Sequence, residues 1–229
     1  MEQPELAQDS HRPVTTREMA LVLGLPTAVF LASSISWRVR HTGIVFTDRR
    51  LLMTLAIEMA IVAVLLPYLW RKGWRPAAVA RTPEPRDVVR GLGLWLGLMG
   101  AVYLTVIVLY VAAPDYVRGL VQTRPFTGVV SAPVIVATAL LNPIFEEFLW
   151  LGYTIPTLGS RFGIRTACVI SIVLRVAVHL YQGTIALIAI LPTAIVMTVY
   201  FARTRRLWPV VVAHVIVDAI GLSGFLPAT

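Results

Sequence analysis

The chain has 229 residues, of which 57% are hydrophobic and only 14% charged, and its mean hydropathy is +0.77. A soluble domain of this length does not carry so apolar a composition; a protein that crosses a bilayer several times does. The net charge of +8 reads as topology and contact with lipid headgroups, so membrane lipids are expected partners and nucleic acid is not.

Residues 1–18 form a polar tail, and residues 19–229 read as a single membrane domain. The apolar runs, in chain order, are Met19–Trp37, Leu51–Trp70, Gly91–Pro114 and Pro125–Ser160, then two within Thr166–Ala202, and finally Leu207–Leu226. A helical span needs about 20 residues at about 1.5 Å each. The sequence therefore predicts an all-α, polytopic membrane helix bundle with seven transmembrane helices, or eight if Pro143 divides its run. The first run carries small residues at Ala32–Ser34, as a signal peptide would. It follows a polar tail that includes Glu18, however, and is itself of span length, which predicts a retained helix.

The loop Arg71–Arg90 holds Pro76, Pro83 and Pro85 and reads as a linker that no helix crosses whole. With seven spans, Arg12, Arg17, Arg71, Lys72, Arg75, Arg81, Arg86, Arg90, Arg161, Arg165, Arg203, Arg205 and Arg206 share one side. That excess puts the tail and the N-terminus in the cytoplasm by the positive-inside rule. The expected location is a prokaryotic cell membrane. Cys168 is the one cysteine; within an apolar run it reads as a buried, inert thiol.

From Pro125 to Ser160 the only charged residues are Glu146 and Glu147. A lone ionised side chain at bilayer depth costs about 2.5–3.5 kcal/mol on insertion scales, and two adjacent carboxylates repel each other. They call for partners. The other ionisable groups inside the apolar runs are Glu58, Arg175, His179, His214 and Asp218. Arg175 and His179 are four apart, as are His214 and Asp218, so each pair shares a helix face. Residues 125–226 thus form a motif-bearing core that brings acid and imidazole groups from three spans.

Such a set allows a narrow chemistry. A carboxylate beside a second carboxylate can act as a general base for water, with a histidine orienting that water. Alternatively, Glu146, His179 and His214 are three ligands of a zinc ion with a fourth position open to water. Both routes lead to hydrolysis of a carbonyl compound inside a membrane. Taken singly, the members have plainer readings as helix-packing groups. Glu58, alone on the second span, is divided between packing and transport and is left outside the site.

The segment EEFLWLG at Glu146–Gly152, followed by RVAVH at Arg175–His179 and HVIVD at His214–Asp218, resembles the CPBP family. These are the CAAX-protease and bacteriocin-processing intramembrane proteases, also called the ABI family. Their pattern is a Glu-Glu motif, then Phe-x-x-x-His, then His-x-x-x-Asn or His-x-x-x-Asp. The contexts LWPVVVAH at Leu207–His214 and HLYQG at His179–Gly183 are also family-like, and the resemblance covers about Asn142–Ile220. It implies an intramembrane endopeptidase acting on a peptide or membrane-protein substrate. Glu146 would be the general base and His179 its assistant, with His214 and Asp218 holding the substrate carbonyl or oxyanion. Glu147 would be structural or tune its neighbour.

Two positions depart from the pattern. Leu151 stands where the first motif commonly has Arg, and Arg175 stands where the second commonly has Phe. The two departures read as linked, with Arg175 neutralising Glu147 and leaving Glu146 free. Asp218, if ionised, cannot donate to an oxyanion; it then orients a histidine ring instead. Counted from the cytoplasmic ends of their spans, His179 and His214 differ in depth by roughly 9 Å, so upright straight helices would bring the motifs together poorly. The alternatives to a protease are a non-catalytic membrane immunity or scaffold protein of the same fold, and a transporter using the Glu pair as a proton relay.

Overall fold

The structure is a computed structural model and describes residues 14–40, 43–122 and 126–227; the tail up to residue 13 lies outside them. Helix α1 (Thr16–Arg40) starts at Thr15, whose hydroxyl accepts from the Glu18 N–H at 3.2 Å, an N-cap that occupies one otherwise free helix donor. Strand β1 (Ile44–Thr47) leads into α2 (Asp48–Arg71), capped in the same way by Thr47 on Arg50. A short helix α3 (Pro76–Ala80) precedes α4 (Pro85–Ala112), α5 (Pro114–Gln122) and strand β2 (Phe126–Val129). The rest is α6 (Ala132–Phe162), α7 (Ile164–Val178), α8 (Leu191–Thr204) and α9 (Trp208–Ser223).

Each apolar run holds a helix. By length and composition α1, α2, α4 and α6 can each cross a membrane, while α8 and α9 are shorter apolar helices and α7 has 15 residues. Pro143 does not divide its run: α6 continues through it as one helical element of 31 residues. The linker is broken, as its prolines require, between α3 and α4. Yet α4 begins at Pro85, six residues before the apolar run, because Asp87 accepts from the Glu84 N–H at 3.0 Å and anchors a polar first turn.

Among the described residues the bundle is all-α as expected apart from one short two-stranded sheet. Residues 126–129, counted within an apolar helical run, form β2, which pairs in parallel with β1 from Ile44↔Phe126 to Thr47↔Val129. Gly128 makes this pairing possible: its φ is 120°, and a Cβ there would run into the Phe46 backbone. Ser131 then takes the N-cap position of α6 without a side-chain capping bond, and its N–H donates to Asp48 Oδ1 at 2.8 Å, tying the start of α6 to the start of α2.

The first half of α6 packs against α2 and α9, its second half against α7, and α4 lies against α8 and α9. The core gathers Trp150, Leu151, Ile155, Phe201, Leu207 and Val210, all nearly inaccessible. Apolar side chains along α4, including Leu96, Leu104, Ile107 and Val111, remain exposed. An outward apolar face is what lipid requires of a spanning helix. The first helix packs inward through Phe30, whose ring lies 5.8 Å from that of Phe145.

Candidate active site

Glu146 and Glu147 end the regular part of α6, and residues Phe148–Tyr153 continue it as a π-helical stretch. A π turn shifts the hydrogen-bond ladder and leaves carbonyls in need of donors. Thr154 Oγ1 donates to the Leu149 carbonyl and Ser171 Oγ to the Trp150 carbonyl, each at 2.7 Å. The serine bond comes from α7, so the wide turn and the neighbouring helix are fixed together.

One polar chain runs from Glu147, whose side chain is fully buried. Its Oε2 accepts from Arg175 Nη2 at 2.7 Å, and its Oε1 accepts from His214 Nδ1 at 2.7 Å. Arg175 Nη1 also meets the Met197 sulfur at 3.0 Å. His214 Nε2 in turn lies 3.5 Å from Asp218 Oδ1. The imidazole is therefore set between two acids, with Asp218 in the ring-orienting position rather than that of a donor to substrate.

A second chain passes through Glu146. Its Oε1 accepts from Asn142 Nδ2 at 3.3 Å and lies 3.9 Å from His179 Nε2. Its Oε2 is buried with no hydrogen-bond partner among the described residues. His179 caps the end of α7: its Nδ1–H donates to the Arg175 carbonyl at 2.7 Å, while its backbone N–H turns to Val176. A carbonyl only accepts, so Nδ1 carries a proton and Nε2 is the ring nitrogen that faces Glu146. Their separation of 3.9 Å is too long for a direct hydrogen bond and suits a bridging molecule.

The structure brings Arg175 to Glu147, as the linked departures from the motif require. It brings His179 to Glu146 and His214 to Glu147, so the two histidines meet different glutamates, and the depth mismatch between them no longer bears on either contact. Glu146, His179 and His214 are not gathered as one donor set. Among the described residues no three His, Cys, Asp or Glu side chains are arranged to hold a metal ion, and both ring nitrogens of His214 face carboxyl oxygens. The donors as placed do not fit the zinc arrangement. Cys168 is a free thiol that is half-buried, where the sequence predicted a buried one.

Two groups escaped the sequence reading. Asn142 stands four residues before Glu146, a helix-face spacing that was open to view, and Glu58 reaches the site through it: Asn142 Nδ2 donates to Glu58 Oε1 at 2.7 Å. The turn after His179 is also pinned, since the Tyr181 N–H donates to Ser34 Oγ on α1 at 2.6 Å. The Tyr181 ring stacks on His179 with 5.9 Å between centroids. Nothing in the local sequence around Ser34 announces that contact.

Fold and site together define an integral membrane protein of packed helices, with an acid–imidazole cluster enclosed among them. Residues 128–220 match the family model described as type II CAAX prenyl endopeptidase Rce1-like. The likeness to the CAAX-protease and bacteriocin-processing family, drawn from the three motifs, thus holds over that stretch, which contains every residue of both chains except Glu58. No curated protein and no solved structure matches the chain.

Proposed function

We propose that this chain is an intramembrane endopeptidase in which Glu146 activates the attacking water. The observation that carries the reading is the state of Glu146: one carboxylate oxygen is tethered by Asn142 and faces His179, while the other has no partner among the described residues. A water held between Glu146 and His179 Nε2 donates a proton to the carboxylate as its oxygen attacks the peptide carbonyl. Glu146 then returns that proton to the departing amine, which balances the step. His214, doubly protonated between Glu147 and Asp218, offers the oxyanion its Nε2–H, which Asp218 holds only loosely at 3.5 Å. Glu147 is committed to Arg175 and stays out of the proton transfer.

The substrate is a peptide or membrane protein presented from the lipid phase, and the reaction needs no metal in this reading. In this reading the protein sits in a prokaryotic cell membrane, and the balance of basic residues supports a cytoplasmic N-terminus. The test compares purified wild type with Glu146→Gln in proteoliposomes, on membrane-spanning peptides with and without a prenylated C-terminal cysteine. Loss of cleavage by at least about a hundredfold with an unchanged fold is expected, the range for a positioned general base. Equal cleavage by both proteins overturns it. Activity abolished by a chelator and restored by zinc overturns the metal-free route. A folded protein that cleaves nothing points to the immunity or scaffold role, and proton-coupled flux to a transporter.

A further inference from the structure

We infer that Glu58 is a positioning residue for Glu146, acting through the side-chain amide of Asn142. The inference rests on the reading of Glu146 as the base. Glu58 lies in the middle of α2, is 1% exposed, and has Asn142 as its hydrogen-bond partner, through Oε1 at 2.7 Å. The same Asn142 nitrogen lies 3.3 Å from Glu146 Oε1. A primary amide nitrogen carries two hydrogens, so one amide serves a carboxyl group on each of two helices. Asn142 and Glu146 are successive positions on one face of α6, and α2 packs against that half of α6.

The arrangement fixes the amide's orientation on chemical grounds. Turned over, Asn142 would present its carbonyl oxygen to the Glu58 and Glu146 oxygens that accept from it, acceptor against acceptor wherever those oxygens carry no proton, while its N–H donors faced away. Glu58 is what makes the turned-over state unfavourable even when the Glu146 side chain moves. With the amide held, Glu146 Oε1 keeps its donor and its place 3.9 Å from His179 Nε2. Glu58 thereby selects which oxygen of the base faces that ring and in which rotamer. A packing role alone would be better filled by Leu, since a carboxyl group inside a span carries a cost that apolar residues do not.

The test measures kcat and KM separately for Glu58→Gln, Glu58→Leu, Asn142→Leu and the Glu58→Leu/Asn142→Leu double variant, beside Glu146→Gln. Unfolding in detergent is followed for each. Gln keeps an oxygen that accepts from Asn142, so Glu58→Gln should stay within about threefold of wild-type kcat. Glu58→Leu and Asn142→Leu should each lower kcat by about tenfold or more with KM nearly unchanged. The double variant should be no worse than the poorer single one, because both act along one path. Wild-type kcat in folded Glu58→Leu, multiplied losses in the double variant, or a Glu58→Gln as poor as Glu58→Leu would each overturn the inference. If Glu58→Leu does not fold, Asn142→Leu decides, since it leaves α2 intact. An active Glu146→Gln sinks the catalytic reading and this inference with it; an inactive Glu146→Gln beside a fully active Glu58→Leu sinks this inference alone.

Discussion

Arg175 of α7 and Glu147 of α6 form an ion pair at 2.7 Å with side chains 4% and 0% exposed. Such a pair offsets the cost of burying either charge, and removing one partner leaves the other unmatched, at about 3–5 kcal/mol. Arg175→Met and Glu147→Gln should each unfold at markedly lower denaturant, whereas the double variant should recover part of the loss. Arg175→Phe, which restores the commoner motif residue, should fail alone. Combined with Leu151→Arg it should regain stability, because residue 151 follows Glu147 by four positions within one wide turn of α6. Unfolding curves in mixed micelles check both, and a harmless Arg175→Phe would break the proposed link between positions 151 and 175.

His214 contributes to stability and to chemistry through different ring atoms. Its Nδ1–H donates to the buried Glu147 at 2.7 Å, and a hydrogen bond to a charged group is worth about 1.5–3 kcal/mol. His214→Ala should therefore lower stability as well as activity. Asp218→Asn leaves that bond in place and should reduce kcat with little change in stability. The two should couple strongly in a double-mutant cycle on kcat and weakly in one on unfolding. Equal coupling in both measurements would mean that Asp218 serves only to hold the helix.

The helices were legible because a run of about 20 apolar residues has few alternatives in a membrane protein. Strand β2 was not, since Phe126–Val129 is apolar enough to extend a helical run, and its partner Ile44–Thr47 is more than 80 positions away. The motif pairs at spacing four were legible as shared helix faces. Which glutamate meets which histidine was not, because consecutive residues on a helix point about 100° apart and the π turn after Glu147 shifts the neighbours again. The charge compensation by Arg175 could be anticipated from the two departures at 151 and 175. The bridge from Glu58 to Glu146 could not, since it depends on α2 packing against α6 at the level of Asn142.

Gly91 sets how closely α4 approaches α9, the helix that carries His214 and Asp218. A Cβ at this position would lie 2.6 Å from both Val212 Cβ and Cγ1, and 3.0 Å from the Pro209 carbonyl oxygen. Val212 is β-branched and cannot swing away freely, so the helices must separate. Gly91→Val should destabilise by about 1–3 kcal/mol, the range for overpacking, and displace His214 from Glu147. The expected signature is lower kcat and a lower unfolding midpoint together. Gly93→Ala, at a glycine with open space around it, serves as the control and should leave both unchanged.

Arg206, two residues before α9, fixes the start of that helix. Its Nε and Nη2 donate to the two oxygens of Asp87 at 2.8 and 2.9 Å, and Nη2 also meets Glu84 at 2.9 Å. These bonds, first to Asp87 and then to Glu84, hold the guanidinium above its already high ordinary pKa, so Arg206 stays charged at any working pH. Asp87 is 3% exposed and Glu84 48% exposed in their side chains, and the two acids should therefore contribute unequally. Asp87→Ala should cost about 1.5–3 kcal/mol, and Glu84→Ala no more than about 1 kcal/mol, fading as salt is added. Arg206→Lys should resemble Asp87→Ala, because an ammonium cannot span both Asp87 oxygens as the planar guanidinium does. Unfolding measured at low and high salt separates the two acids. Equal and equally salt-sensitive losses would show that the loop is held by general charge attraction, and that the fork between Arg206 and Asp87 does not set the start of α9.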